Sequence, residues 1–156
     1  AGIKGLGPAK RAEIAAVMEM CRRALGQQLA AAPVIGSPQA LRDFVAAELA
    51  HQPEERFAVL FLDAQHRLLA MESLFQGSIS SAAVHPRVVV RRAIELRAAQ
   101  VILAHNHPSG VAEPSHADLQ ITQRLREALA LIDVGVLDHL VIGRGQSVSM
   151  RERGLL

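Results

Sequence analysis

Apolar positions recur along the chain with two spacings, and these spacings predict a mixed α/β fold. Segments with apolar residues every three to four positions predict helices, whereas short apolar runs predict strands. Three prolines, Pro8, Pro38 and Pro86, stand where helices are expected to begin. The predicted elements, in chain order, are helices from Pro8 to about Leu29 and from Pro38 to about His51, strands over 56–63 and 67–73 with 74–80 continuing extended, a helix from Pro86 to about Ala99, a strand over 101–104, a long helix beginning at Pro114-Ser115, and strands over 134–143 and 147–151.

The order of these elements predicts how they are arranged in space. Behind a helical N-terminal segment the order is β-β-α-β-α-β-β. Some strands follow one another directly and others are separated by helices, which indicates a mixed sheet with helices packed on it. Residues 31–36 (Ala-Ala-Pro-Val-Ile-Gly) have the composition of a linker. We therefore expect a helical segment over residues 1–32 and a separate domain over residues 33–156.

Composition restricts the kinds of site that the chain can build. Half of the 156 residues are hydrophobic and 21% are charged, which is ordinary for a globular domain with a buried core. The formal net charge of +2 is too small to indicate nucleic-acid binding by itself. Cys21 is the only cysteine, which excludes an internal disulfide and a multi-thiolate zinc site. Any metal site must therefore use histidines and carboxylates, and a cytoplasmic location is expected.

The chain shows no sign of a targeting or membrane segment. Its first ten residues lack the apolar stretch of a signal peptide, and no apolar run approaches the ~18 residues of a membrane span. We therefore expect no membrane contact. The sequence begins at Ala1 without an initiator methionine, so we expect either a fragment or a processed form of a longer protein. No pattern in the sequence indicates the oligomeric state.

Two closely spaced histidines and one later carboxylate form a candidate metal site. His105 and His107 stand two positions apart at the end of a strand, so both side chains lie on one face. Asp118 follows eleven residues later, and the loop over 108–114 allows the next helix to return its first turn to the histidines. Two imidazoles and one carboxylate leave a coordination position for water, which is typical of catalytic zinc. Zinc lowers the pKa of such a water to about 7.

Parts of this pattern also have purely structural interpretations. Ser115 and Asp118 fit the start of a helix, with serine as the N-cap and aspartate in the first turn, and this is compatible with metal binding. The Ser115 hydroxyl is also a candidate donor to an oxyanion, although capping is the favoured role. Glu72 lies in an apolar strand, where a charge is either solvent-facing or functional.

The motif resembles one known family. Residues 105–110 (His-Asn-His-Pro-Ser-Gly) and 114–118 (Pro-Ser-His-Ala-Asp) are similar to the RadC family of the JAB/MPN+ (JAMM) metalloprotease superfamily. The shared motif is His-x-His-x7-Ser-x2-Asp with an upstream glutamate. The similarity continues in residues 61–63, 72–77 and 137–143, and covers roughly Pro53 to Leu156.

The resemblance implies a fold, a site and a reaction. The implied fold is a cytidine-deaminase-like JAB (MPN) three-layer α/β/α domain with a mixed β-sheet, preceded by N-terminal helices. One catalytic zinc ion would be held by His105, His107 and Asp118. Glu72 would be the general acid/base, and Ser115 would assist the oxyanion. The implied reaction is hydrolysis of amide bonds, including isopeptide bonds to ubiquitin-like modifiers, so the expected partner is a peptide or protein substrate.

The N-terminus supports an alternative function. Residues 2–12 resemble the second half of a helix-hairpin-helix unit, which contacts the DNA backbone through its glycine loop and nearby basic residues. RadC relatives were also named for DNA repair. The alternative is therefore a DNA-associated binding module with a structural or vestigial metal site, in weak, non-specific contact with DNA through residues 1–12. Metal-dependent cleavage of a phosphodiester is less favoured, because nuclease sites gather several carboxylates around hard cations.

The remaining histidines outside the motif receive a structural interpretation. We interpret His66, His85, His116 and His139 as surface or turn residues. The pair Asp138-His139 lies within an apolar strand, however, so one member of that pair is expected to be buried and hydrogen-bonded.

Overall fold

Helix starts in this protein follow from local sequence chemistry. Pro8, Pro38 and Pro86 each occupy the first turn of a helix, where the missing N–H has no partner to lose. The computed structural model describes residues 6–77 and 84–156. Its elements are α1 (Pro8–Ala31), a short 3-10 helix (Val34–Gly36), α2 (Pro38–Leu49), β1 (Arg56–Leu62), β2 (Leu68–Gln76), α3 (Pro86–Glu95), β3 (Gln100–Asn106), α4 (His116–Ala130), β4 (Gly135–Ile142) and β5 (Ser147–Ser149).

The predicted order of elements is confirmed, but some bounds differ. Helix α3 ends at Glu95 instead of about Ala99, because Arg97 adopts a left-handed conformation with φ of 52°. Helix α2 ends at Leu49, two residues before the predicted end. The glycine-rich start over residues 1–5 and the extended run over 78–80 lie outside the described residues.

The five strands found in residues 6–77 and 84–156 form one mixed sheet in the order β2-β1-β3-β4-β5. Strand β1 pairs antiparallel with both β2 and β3, β3 pairs parallel with β4, and β4 pairs antiparallel with β5. The parallel pair is connected through α4, as a parallel crossover requires. The sheet therefore places the end of β3 beside the start of β1.

Helices cover both faces of the sheet, which confirms the predicted three layers. Helices α1 and α2 cover one face, where Leu29, Phe44 and Val45 pack on Leu60 and Ile102. Helices α3 and α4 cover the other face, and the residues of that second core are Phe57, Val59, Phe61, Val84, Val89, Ala93, Ala98, Val101, Leu103, Ile121, Leu125, Leu129 and Val134. Within the described residues, no helix is both long enough and apolar enough to cross a bilayer.

The first turn of α4 is held by a reciprocal cap. The Ser115 hydroxyl accepts the Asp118 N–H at 3.2 Å, and Asp118 Oδ2 accepts the Ser115 N–H at 2.7 Å. Ser115 thus has the capping role that its sequence position predicts. The cap fixes the Asp118 carboxylate at the end of α4 that lies nearest to the loop after β3.

We expect Ser115→Ala to lower the free energy of unfolding by about 1 kcal/mol, because the Asp118 N–H loses the hydroxyl that accepts it and Asp118 Oδ2 loses the hydroxyl donor. Urea unfolding followed by circular dichroism measures this change. Ser37→Ala is a matched control, because Ser37 caps α2 without any side-chain hydrogen bond. An equal loss in both variants would contradict the role of the Ser115 cap.

Candidate metal centre

The end of β3 carries both histidines of the motif. His105 is the last but one residue of β3 and is completely buried, whereas His107 follows the strand and its side chain is 17% exposed. Their Nε2 atoms lie 2.9 Å apart. The two imidazoles therefore converge at the end of the sheet, and one of them is open to solvent.

Asp118 meets both histidines from α4. Its Oδ1 lies 3.2 Å from His105 Nε2 and its Oδ2 lies 3.4 Å from His107 Nε2. Burial alone would raise the pKa of the Asp118 carboxyl, but His105 and the Ser115 donors outweigh burial and lower that pKa well below its usual value. Asp118 is therefore an anion placed between two imidazole nitrogens.

The outer nitrogen of each ring already has a partner. His107 Nδ1 donates to the Val111 carbonyl oxygen at 2.9 Å, which leaves the lone pair of a neutral ring on Nε2. His105 Nδ1 lies 2.8 Å from His139 Nε2. The Asp118 carboxylate and the His107 Nε2 lone pair therefore face each other, and a cation bound between them would balance the negative charge.

Glu55 is the fourth member of this cluster. A carboxylate oxygen of Glu55 lies within 4.8 Å of the ligand atoms of His105, His107 and Asp118. The register of the sheet explains this position: Phe57 pairs with His105, so continuing the antiparallel register by two residues brings Glu55 opposite His107. By strand alternation both side chains then lie on one face. The four residues form a group that could hold a metal ion.

Asn106 fixes the segment that carries Glu55. Its side chain is buried and points away from the two flanking histidines, as alternation along a strand requires. Asn106 Oδ1 accepts the Arg56 N–H at 2.8 Å, and its Nδ2 donates to the Glu54 carbonyl at 3.1 Å. The asparagine within the His-Asn-His triplet therefore ties the backbone on both sides of Glu55 to the end of β3.

The structure does not place Glu72, the predicted general acid/base, in this cluster. Glu72 lies on the edge strand β2 opposite Val59, so it is two strands, or roughly 10 Å, away from β3. Its carboxylate forms a bidentate pair with Arg92 of α3. This pairing lowers the pKa of Glu72, and burial opposes the shift. Glu72 thus forms an ion pair with Arg92, whereas Glu55 is the glutamate that lies in the cluster with the two histidines. The role of Glu72 as general acid/base stays a prediction.

Ser115 lies beside the cluster but its hydroxyl is occupied. The hydroxyl hydrogen is directed at Asp118 Oδ2, 2.8 Å away. Donation to an oxyanion would require that this bond be exchanged for a new one. The predicted role of Ser115 at an oxyanion therefore stays a prediction, whereas its capping role is confirmed.

His139 is buried, contrary to its interpretation as a surface residue. The ring has no solvent exposure and contacts both His105 and Thr122. Burial and the neighbouring His105 lower the pKa of His139 well below its ordinary value, so the ring is neutral. Its neighbour Asp138 accepts the Ser149 hydroxyl at 2.6 Å. The expectation of a buried, hydrogen-bonded member of this pair is confirmed.

A cavity adjoins the exposed side of the cluster. It has a volume of about 320 Å³, and its walls include His107, His51 and Arg144. A cavity of this size can hold a small chemical group next to His107. The other candidate histidines lie elsewhere: His66 is in the turn after β1, and His85 and His116 are exposed at the starts of α3 and α4.

Sequence reasoning missed Glu55 and placed His139 wrongly, and each carried a signal. Glu55 is an acidic residue directly before a buried strand, at a strand end where functional side chains often lie. His139 interrupts an apolar strand, which already pointed to burial. Neither signal shows which strands are neighbours in the sheet, so neither predicted that Glu55 and His139 lie beside the histidines of β3.

Comparison with known proteins gives one family. A family model described as the RadC-like JAB domain matches residues 35–155. A UPF0758 protein of Methylibium petroleiphilum is 63% identical over 154 residues, which cover 99% of this chain and 69% of that relative. UPF0758 proteins of Leptothrix cholodnii and Azotobacter vinelandii are 61% and 57% identical, over 99% and 97% of this chain and 69% and 68% of their own lengths.

These comparisons do not extend to every prediction. The family match begins at residue 35, so the helix-hairpin-helix resemblance of residues 2–12 is not confirmed and stays a prediction. The names of these relatives state no activity. The comparisons thus supply the family but not the reaction.

Proposed function

Because this chain belongs to the RadC-like JAB domain family, we propose that it is a zinc-dependent hydrolase that cleaves a peptide or isopeptide bond. The observation that carries the proposal is the convergence of His105, His107 and Asp118, with the Glu55 carboxylate within 4.8 Å of their ligand atoms. Without a cation, this arrangement brings two acidic groups and a nitrogen lone pair together in a partly buried space.

The donor set favours zinc. Two imidazoles and one carboxylate are typical zinc ligands, whereas calcium and magnesium prefer sites built from oxygen alone. His105 and His107 would bind through their Nε2 atoms and Asp118 through its carboxylate. A structural zinc site has four protein ligands and is closed, but here His107 faces a cavity. The site therefore has the character of a catalytic centre.

The protein groups around the site have distinct roles in the proposed reaction. Bound zinc supplies Lewis acidity and lowers the pKa of water to about 7. Glu55 accepts the proton of the attacking water on its carboxylate and then delivers it to the leaving amine. Asn106 holds the backbone of Glu55 in place, and the Ser115 cap holds Asp118. The cavity beside His107 receives the chain that flanks the scissile bond.

The proposal is tested with protein that is stripped of metal by a chelator and then reloaded with zinc. We expect reloaded protein to hydrolyse amide bonds in a peptide mixture or an isopeptide-linked conjugate, and mass spectrometry to show water added across the cleaved bond. Stripped protein is expected to be inactive. Cleavage that persists without metal would contradict the proposal.

A further inference from the structure

We propose that His139 and Thr122 are positioning residues that fix the tautomer of His105 and so present its Nε2 lone pair to the metal; this inference rests on the proposed metal site. The observation is an unbroken line of short contacts behind His105. It runs from the Asp118 backbone carbonyl through Thr122 and His139 to the His105 ring.

The direction of the first hydrogen bond follows from the chemistry of a carbonyl. Thr122 Oγ1 lies 2.5 Å from the Asp118 carbonyl oxygen and 2.6 Å from His139 Nδ1. A carbonyl oxygen only accepts, and the threonine hydroxyl has one hydrogen. That hydrogen must therefore lie on the contact with Asp118. The second contact of Thr122 is left to be made by a donor on His139.

The direction of the remaining bonds then follows ring by ring. His139 donates from Nδ1 to Thr122. Because this ring is fully buried, loss of solvation favours its neutral form, and the lone pair of that form is then on Nε2. His139 Nε2 lies 2.8 Å from His105 Nδ1 and must accept from it. His105 thus carries a hydrogen on Nδ1, which leaves Nε2, 3.2 Å from Asp118 Oδ1 and 2.9 Å from His107 Nε2, as the nitrogen that can bind a metal ion. A hydrogen held on the outer nitrogen is what metal binding through Nε2 requires.

Burial gives this chain of bonds its power to select one tautomer. His105 and His139 have no solvent exposure and Thr122 is 2% exposed. Water therefore cannot substitute for a missing partner, and reversal of one bond would require reversal of the next. Phe57 further restrains both rings: it stacks on His105 with ring centroids 6.4 Å apart and meets His139 edge-on at 5.6 Å.

Helix α4 supplies both a candidate metal ligand, the Asp118 side chain, and the first acceptor of the hydrogen-bond chain, the Asp118 backbone carbonyl. Asp118 faces the cluster with its side chain, while its backbone carbonyl orients Thr122 one turn later. Helix α4 therefore positions both sides of the His105 ring: Asp118 lies near Nε2, and Thr122 acts on Nδ1 through His139. His107 receives a simpler arrangement, because the Val111 carbonyl directly fixes its hydrogen on Nδ1.

The first test reads the tautomer in metal-free wild-type protein. Nitrogen-15 NMR of labelled histidine, at a pH well above the ordinary histidine pKa of about 6.5, separates protonated from unprotonated ring nitrogens. We expect the His105 hydrogen on Nδ1 and the His139 hydrogen also on Nδ1. A His105 ring whose Nδ1 carries no hydrogen would overturn the proposal. This measurement needs no substitution and does not depend on activity.

The second test compares two substitutions at Thr122, because direct replacement of the fully buried His139 endangers the fold. Thr122→Val removes the hydroxyl at nearly constant volume, whereas Thr122→Ser keeps it. We expect Thr122→Val to weaken zinc binding about 10- to 100-fold and Thr122→Ser to stay within about threefold of wild type. Competition with a chelator of known affinity measures the zinc Kd, and circular dichroism verifies folding.

The results also separate this inference from the proposed function. Equal zinc affinity in folded Thr122→Val, Thr122→Ser and wild-type protein would overturn the positioning role. If Thr122→Val does not fold, the wild-type NMR spectrum decides the question. If wild-type protein binds no zinc, the proposed function fails, whereas a hydrogen on His105 Nδ1 in the same sample still supports the tautomer assignment.

Discussion

Replacing Glu55 with glutamine is expected to slow amide hydrolysis by about 10²- to 10⁴-fold while zinc stays bound. Glutamine keeps the size of the side chain but cannot accept a proton from water. The close contacts of the cluster, at 3.2 and 3.4 Å, join Asp118 to His105 and His107, and Glu55 lies outside these pairs. Its loss therefore removes proton transfer and spares the ligands. Initial rates at saturating zinc, with zinc content measured by elemental analysis, check this result.

Glu72→Gln is the matched control for this substitution. Glu72 pairs with Arg92 on the edge of the sheet, so its replacement is expected to leave hydrolysis unchanged and to lower stability by less than about 1 kcal/mol. Because Arg92 lowers the pKa of Glu72, the pair stabilises the fold at neutral pH, and this contribution is lost as the pH falls through the folded-state pKa. Strong loss of activity in Glu72→Gln, with Glu55→Gln active, would reverse the assignment of the base.

Replacing His107 with alanine is expected to weaken zinc binding by more than about 100-fold, because even the loss of an outer partner of a ligand typically costs 10- to 100-fold. His107 is partly exposed, and its Nδ1 bond to Val111 is the ring contact outside the cluster that alanine removes. The fold should therefore survive the change. Elemental analysis of purified protein and chelator competition measure the loss.

The control for His107→Ala is His116→Ala. His116 is exposed at the start of α4, and its ring contacts Gln120 on the same helix. It is a histidine of the same chain segment but is not one of the four residues of the cluster, so the variant should bind zinc as wild type does. Equal zinc content in the His107→Ala and His116→Ala proteins would remove the basis of the proposed metal centre.

The candidate metal ligands His105, His107 and Asp118 were predictable from sequence because the geometry that orients them is local. His105 and His107 share a face through strand alternation, and Asp118 is placed by the cap that Ser115 forms with it. Each relation spans only a few residues. The three-layer fold was predictable for a similar reason, since the apolar spacing defines the elements and the faces that they bury.

The position of Glu55 was not predictable from the residues, because it depends on which strands are neighbours. Glu55 and His107 come together only because β1 pairs with β3 antiparallel and in one register. The local sequence pattern does not distinguish Glu72 from Glu55 as the glutamate near the histidines, since Glu55 borders an apolar strand and Glu72 lies within one. A one-residue change of register would have turned Glu55 to the opposite face. The sheet order, rather than composition, decides between the two carboxylates.

The early end of α3 and the burial of His139 have the same kind of cause. Apolar spacing continues past Glu95, but the backbone reverses at Arg97 so that Ala98 can bury against the second core. His139 is polar, yet it lies on the face of β4 that meets α4, where Thr122 and His105 satisfy its nitrogens. Tertiary contacts override local propensity at both positions.

The hydrogen bond between Asn106 and the Arg56 N–H joins segments 50 positions apart in sequence. The cluster of Glu55 with the two histidines therefore cannot form until these distant segments have packed together. An ion would therefore bind late in folding, after the entropic cost of closing this loop has been met. The two hydrophobic clusters that cover the faces of the sheet consist of side chains other than the candidate metal ligands. A chelator should then leave an intact but inert protein, unlike a zinc finger, which unravels when its ion is withdrawn.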